Sequence, residues 1–185
     1  MRATGIVRRI DELGRIVVPK ELRRSLRIHE GDSVEIYVDP KGSIVLKKYS
    51  PVAQLRDVAS DMAESLSASS GGVALICDRD MVIAASGPHS EELLGRRVGR
   101  AIEKAMAEKQ ALMVHFSGGG DASGILASAG PDSVAMISAA IAPIVADGDA
   151  VGAVVVGTTS NDSTVGGLEE GLAVTAAGYL ARQVA

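Results

Sequence analysis

Thr4-Gly5-Ile6-Val7-Arg8-Arg9-Ile10-Asp11-Glu12-Leu13-Gly14-Arg15-Ile16-Val17-Val18-Pro19 decides how the first fifty residues fold. Two apolar arms, 5–10 and 15–18, flank Asp11-Glu12-Leu13-Gly14. Asp at the first position and Gly at the fourth are the preferences of a type I turn that closes a hairpin. A second turn of the same kind, Asp39-Pro40-Lys41-Gly42, adds Pro at its second position. Before it, Val34, Ile36 and Val38 alternate with Glu35, Tyr37 and Asp39 at the period of a strand with one apolar face; a further strand follows over 43–49. Between the hairpins, Pro19-Lys20-Glu21-Leu22-Arg23-Arg24-Ser25-Leu26 begins with the proline that a first helical turn tolerates. Leu22 and Leu26 share a face at i,i+4, so Arg23 and Arg24 point away from it. The order is strand, strand, short helix, strand, strand. So small a module, with so few aliphatics, lies near the lower limit for independent stability, and an intertwined or tightly paired dimer is expected.

Charge divides at the same place. Residues 1–50 carry 11 Lys and Arg against 7 Asp and Glu, a net +4, while residues 51–185 carry 8 against 16, a net −8. A basic module joined to an acidic one suggests that the first meets a polyanion and the second does something else. Arg8, Arg9, Arg15, Arg23 and Arg24 gather around the first turn and the helix after it. A charge run is usually a solvated face, but clustering around structural turns in a small basic domain is the footprint of a polyanion binder, and the guanidinium fork suits phosphate or guanine. Aromatic platforms for unpaired bases are scarce, since the module has only Tyr37 and Tyr49, which argues against stacking of single strands. It also has no Asn or Gln to read adenine, which leaves specificity to arginine contacts and to the shape of the duplex.

The remaining residues read as an α+β domain. Ser50-Pro51 is an N-cap followed by proline at N1, opening a helix to about Ser67. Val52, Leu55, Ala59, Met62 and Leu66 form a seam on it, which serves either a short coiled coil or packing on its own domain. Strands are expected over 73–77 and 82–85, a helix over 91–109, a strand over 112–116 and a mobile Gly/Ser/Ala loop over 117–133. Two further strands, 134–145 and 151–158, flank Asp147-Gly148-Asp149, and a last helix places Leu168, Leu172, Ala176, Tyr179 and Gln183 on one stripe. An antiparallel sheet with helices packed on it is the natural solution.

Catalytic and cofactor chemistry finds little support. The loop Ser117-Gly118-Gly119-Gly120-Asp121-Ala122-Ser123-Gly124 lacks the Lys-Ser/Thr of a P-loop, and Ser123 stands where a dinucleotide fingerprint needs glycine. Cys77 follows Val73-Ala74-Leu75-Ile76 and reads as a buried strand cysteine, not a nucleophile served by His89 or His115. Asp78 with Asp80, and Asp147 with Asp149, read as solvated turn carboxylates, and one cysteine with three histidines supplies no structural zinc site. No enzyme, cofactor or metal is expected. A single cysteine and the absence of a signal-peptide pattern point to a reducing, cytoplasmic compartment. The longest apolar run, Val134 to Ala146, is about 13 residues against the roughly 18 that span a membrane, so no membrane partner is expected either.

Residues 4–19, with Glu21-Leu22-Arg23-Arg24 and Leu46-Lys47-Lys48-Tyr49, resemble the swapped-hairpin DNA-binding domain of the AbrB transition-state regulators. The resemblance covers essentially all of residues 1–50. It implies that two chains exchange hairpins to make one dimeric barrel, in which arginines matching Arg8, Arg15, Arg23 and Arg24 contact DNA; Arg9 stands where a basic residue is usual. Ile76-Cys77-Asp78-Arg79-Asp80, Pro143-Ile144-Val145-Ala146-Asp147-Gly148 and Thr175-Ala176-Ala177-Gly178-Tyr179-Leu180-Ala181-Arg182-Gln183 are similar to the sporulation branch of these regulators. That likeness implies a GAF-type sensory domain and a tetramer built through C-terminal helices; the loop over 117–124 takes no part in it.

The expectation is thus a two-domain chain. Residues 1–50 form an AbrB-like swapped-hairpin barrel with one short helix, 51–70 a linking helix, and 71–185 an α+β GAF-like domain for sensing and assembly. Its function would be sequence-selective binding of double-stranded DNA to regulate sporulation-type genes, in a nucleoid-associated protein whose acidic half stays off the DNA. A small-molecule ligand is possible, of unknown kind and with unknown binding residues. The alternative is an antitoxin whose C-terminal region wraps a toxin.

Overall fold

The computed structural model describes residues 5–28, 30–116, 124–127, 134–160 and 163–184. The chain separates into two compact units, Met1–Tyr49 and Ser50–Ala185.

In the first unit, helix α1 (Lys20–Ser25) precedes an antiparallel hairpin of β1 (Val34–Val38) and β2 (Ile44–Lys48). Ile36 faces Leu46 and Val38 faces Ile44 across the ladder, so the alternation read from the sequence places these aliphatics on one surface. The arms 5–10 and 15–18 were expected as strands, yet in the single chain they form no ladder. One backbone bond near the turn joins them, from the Asp11 N–H to the Arg15 carbonyl at 3.0 Å. Two strands alone are marginal at best in water, and these arms have no third strand of their own to pair with. Pro19 is the only buried residue among those described in this unit.

The second unit is a five-stranded antiparallel sheet in the order β4-β3-β7-β6-β5. Its strands are β3 (Val73–Asp78), β4 (Val82–Ser86), β5 (Leu112–His115), β6 (Ser138–Ala146) and β7 (Asp149–Thr158). Helices α2 (Pro51–Gln54), α3 (Arg56–Ser70) and α6 (Gly167–Val184) cover one face; α4 (Ser90–Leu93) and α5 (Arg100–Glu108) contribute to the other. Strand alternation sorts the core. Ala74, Ile76, Val154 and Val156 pack with α3 and α6, whereas Val73, Leu75, Cys77 and Val155 pack with Leu93, Ile102 and Met106. Both faces are covered, which is why these strands read as continuous apolar runs. The central strand β7 also needs its glycines. A Cβ on Gly157 would lie 2.3 Å from the Ser138 carbonyl oxygen, and one on Gly152 2.2 Å from that of Cys77.

Ser50 caps α2 as read, its Oγ accepting from the Ala53 N–H at 3.2 Å with Pro51 at N1. The helix breaks at Leu55 before α3 continues. The seam, now divided between α2 and α3, packs within its own unit: Val52, Ala59 and Leu66 are buried in the core cluster, and Met62 lies partly buried beside them.

Three expectations are corrected. The helix over 91–109 is instead α4 and α5, separated by an extended segment in which Gly95 takes φ +75° and Val98 bridges Leu126. In α6 the buried stripe is Ala173, Ala176, Ala177 and Leu180, while Leu168, Tyr179 and Gln183 of the expected stripe face solvent. Alanines let α6 approach the sheet closely, so the larger side chains turn outward. Of the loop expected over 117–133, Gly124–Ala127 is anchored by buried Ile125 and Leu126, and Arg96 donates to the carbonyls of Ala127, at 2.7 Å, and Val134. Residues 117–123 and 128–133 lie outside the described residues.

Cys77 is fully buried, and burial, with the Asp78 charge second, pushes its thiol up, away from the thiolate a nucleophile needs. Among the described residues no helix is long and apolar enough to cross a membrane, and no group of three or more His, Cys, Asp or Glu could hold a metal ion.

Candidate nucleic-acid interface

The two Asp-x-x-Gly turns share one construction. The Asp11 carbonyl accepts from the Gly14 N–H at 2.9 Å, and its Oδ1 accepts from the N–H groups of Leu13 at 3.0 Å and Arg15 at 2.8 Å. The Asp39 carbonyl accepts from Gly42 at 3.0 Å, and its Oδ1 from Lys41 and Ser43 at 2.8 Å each. Gly14 and Gly42 close the turns at φ +75° and +81°, in the left-handed region that glycine enters without steric cost. Aspartate suits the position because the oxygen of its short side chain can receive two N–H groups of its own turn. These bonds hold both carboxyls below the ordinary carboxylate range, the Arg15 N–H being the main cause for Asp11 and the Ser43 N–H for Asp39.

This turn sets the first group of arginines. Arg8 and Arg9 precede it and Arg15 follows it, all exposed. The Arg15 Nε donates to Asp11 Oδ2 at 2.8 Å, which aims the guanidinium along the turn while leaving it 71% exposed. Arg8 Nη1 donates to the Val7 carbonyl at 3.1 Å. The second group, Arg23 and Arg24, occupies the last turn of α1, a helix with no buried residue. All five side chains are open to an incoming polyanion, and the planar fork of each can grip two phosphate oxygens.

Sequence reasoning missed Lys48 and Asp32. A charge count adds Lys48 to the basic surface, yet its Nζ lies 3.1 Å from Asp32 Oδ2 and 3.0 Å from the Arg27 carbonyl, with the two side chains 19% and 5% exposed. Asp32 falls in no motif, Lys48 stands in the Leu46–Tyr49 segment with no role attached to it, and their sixteen-residue separation leaves no periodic signal.

Comparison with known proteins gives this geometry its class. A family model described as antidote-toxin recognition MazE, bacterial antitoxin, matches residues 7–54. The transition state regulatory protein AbrB of Bacillus subtilis is 63% identical over 51 residues, 28% of this chain and 52% of that protein. The second unit is similar in fold to the GAF domain of an Acinetobacter phosphoenolpyruvate-protein phosphotransferase, with a TM-score of 0.56 at 15% identity over 72% of this chain and 87% of that one. An AbrB-like domain precedes a GAF-like α+β domain, and the family to which the second unit is matched is one of transcription factors.

A model described as stage V sporulation protein T C-terminal, transcription factor, matches residues 54–185. Stage V sporulation protein T of B. subtilis is 46% identical over 184 residues, 100% of this chain and 99% of that protein. The chain belongs to the stage V sporulation protein T family.

Proposed function

We propose that the chain binds double-stranded DNA sequence-selectively as a dimer formed through residues 1–50, and regulates sporulation-type genes. Arg8, Arg9, Arg15, Arg23 and Arg24 make the phosphate and groove contacts. The observation that carries this reading is the incompleteness of the first unit. Val7, Ile10, Ile16, Val17, Ile36, Val38 and Ile44 are all exposed in a unit whose hydrophilic surface carries the five arginines. Apolar surface on this scale in a small domain calls for a partner, and a second copy would pair the unladdered arms and cover the hairpin face in one step. Dimerisation then doubles the arginine set.

Residues 71–185 act in assembly and sensing. The outward face of α6, with Leu168 and Tyr179, supports a further association of dimers into a tetramer, and a bound small molecule would shift the population of DNA-competent arrangements. An antitoxin would instead need a toxin-wrapping segment that stays unfolded when alone. Residues 51–184 supply a sheet with buried helices on both faces.

The test is a salt series on duplex DNA. With about 6 to 10 phosphates contacted, affinity falls by roughly 10³ to 10⁵ between 50 and 200 mM salt. Arg15→Ala combined with Arg23→Ala flattens the slope. A salt-independent affinity, or an unchanged slope in the double variant, removes the arginines from their role.

A further inference from the structure

Helix α1 carries two of the five arginines and ends under strain. Leu26 is its C-cap, and Arg27 follows at φ +52°, in the left-handed region that is sterically unfavourable for a non-glycine residue. The Ile28 N–H donates to the Arg23 carbonyl at 2.8 Å and the Arg27 N–H to the Arg24 carbonyl at 3.3 Å. This is the double bond pattern of a Schellman cap, with arginine where glycine is usual. The carbonyls satisfied by the cap are those of Arg23 and Arg24 themselves. A strained residue of this kind persists where its surroundings over-determine it.

Beside the cap bonds, Lys48 holds this residue from the hairpin. It lies at the end of β2, opposite Val34, and its ammonium donates to the Arg27 carbonyl at 3.0 Å while resting 3.1 Å from Asp32 Oδ2. The Asp32 side chain is 5% exposed, so the pair is largely shielded from water and screened little by salt. One end of this clasp is the hairpin; the other is the residue that fixes where α1 stops. Because its Nζ is engaged by a carboxylate and a carbonyl, Lys48 is poorly placed to neutralise a phosphate.

We infer that Lys48 and Asp32 form an internal clasp that positions α1, and with it Arg23 and Arg24, for DNA, so that Lys48 is a positioning residue and not a phosphate ligand. This rests on the reading that Arg23 and Arg24 contact DNA.

The two roles make opposite predictions for an acidic residue. Were Lys48 a phosphate ligand, Asp32→Asn would free its charge and tighten DNA binding. As a clasp, Asp32→Asn weakens binding by roughly tenfold, the scale of a charge-assisted bond. The experiment uses the full chain and a duplex recovered from random-sequence DNA by the wild-type protein. Affinities are measured well below the melting temperature of each variant, for Asp32→Asn, Lys48→Met, the pair Arg23→Ala/Arg24→Ala, and the triple variant that joins Lys48→Met to that pair. The clasp predicts that the losses overlap: once Lys48→Met has released α1, removing its arginines costs less than it does in the wild type. A residue that only stabilised the domain would give losses that add. Tighter binding by Asp32→Asn, or additive losses, overturns the inference while leaving the DNA reading intact. An arginine pair whose removal changes nothing overturns that reading and the inference with it.

Discussion

In β1 of the first unit Ile36 is 66% exposed; in β7 of the second, Val154, Val155 and Val156 are completely buried. Both strands are rich in β-branched residues, yet their neighbours differ. β7 lies between β3 and β6, with helices above and below, whereas β1 has a single partner strand and no described residue over its apolar face. The second unit closes a core around its own strands. The first leaves its apolar strand faces open, and the dimer proposed above would cover them: among the described residues no other part of the module does so.

The contrast is broken most directly by a charge on the open face. Ile36→Asp places a carboxylate where a second copy would pack, and an unpaired buried charge costs about 3–5 kcal/mol. The expected result is loss of dimerisation through residues 1–50 and a drop in DNA affinity of roughly 10²-fold or more, with the melting transition of residues 50–185 unmoved. Sedimentation and DNA titration read the first part, and calorimetry the second. Retention of both dimer and affinity would show that the open face is simply solvated.

A smaller effect sharpens the comparison from the other side. Leu66 of α3 is 4% exposed within its core cluster, whereas Leu13, at the tip of the first turn, is 74% exposed. Leu66→Ala should destabilise the second unit by about 2–5 kcal/mol, through lost burial and the cavity left behind. Leu13→Ala should stay within about 0.5 kcal/mol, as a surface change away from packed features does. Denaturant melts check both. A large loss from Leu13→Ala would mean that the turn tip is itself covered in the assembled protein.

How much was legible follows from the same contrast. The Asp-x-x-Gly turns, the Ser50-Pro51 cap and the strands around Asp147-Gly148 depend on local chemistry, and each stands where its residues put it. The extended segment between α4 and α5 was hidden because its pairing comes from afar: Val98 bridges Leu126, and Met81 bridges Arg97. The stripe read on α6 gave no sign of which edge is buried: close approach to the sheet favours Ala173, Ala176 and Ala177, while Leu168 and Tyr179 face solvent. In the candidate interface the arginines were visible as a cluster of charge. The clasp of Lys48 and Asp32 was not, since a charged pair buried across sixteen residues looks in sequence like two more surface charges.

The smallest predicted effect lies within the first unit, between its two turns. Asp11 and Asp39 receive the same backbone N–H bonds, but only Asp11 also receives a guanidinium, from Arg15 at 2.8 Å. Both carboxyls are held below the ordinary value of 3.8, so each contributes stability that is fully present above that pH and is lost as the pH falls through its lowered folded value. Acidification should therefore loosen both turns, seen as changes in the Gly14 and Gly42 amide resonances. Asn keeps the Oδ1 acceptor and removes the charge. Asp39→Asn should accordingly preserve its turn almost unchanged at neutral pH, whereas Asp11→Asn also releases Arg15. That pair is exposed and contributes little to stability, so Asp11→Asn should shift the melting temperature only slightly. Its larger effect should be on DNA, because an arginine no longer neutralised by its own turn offers a full charge to phosphate. Tighter binding at low salt by Asp11→Asn, with no matching change for Asp39→Asn, would mark the first turn as the one that meets the duplex; equal effects would reduce both turns to scaffolding.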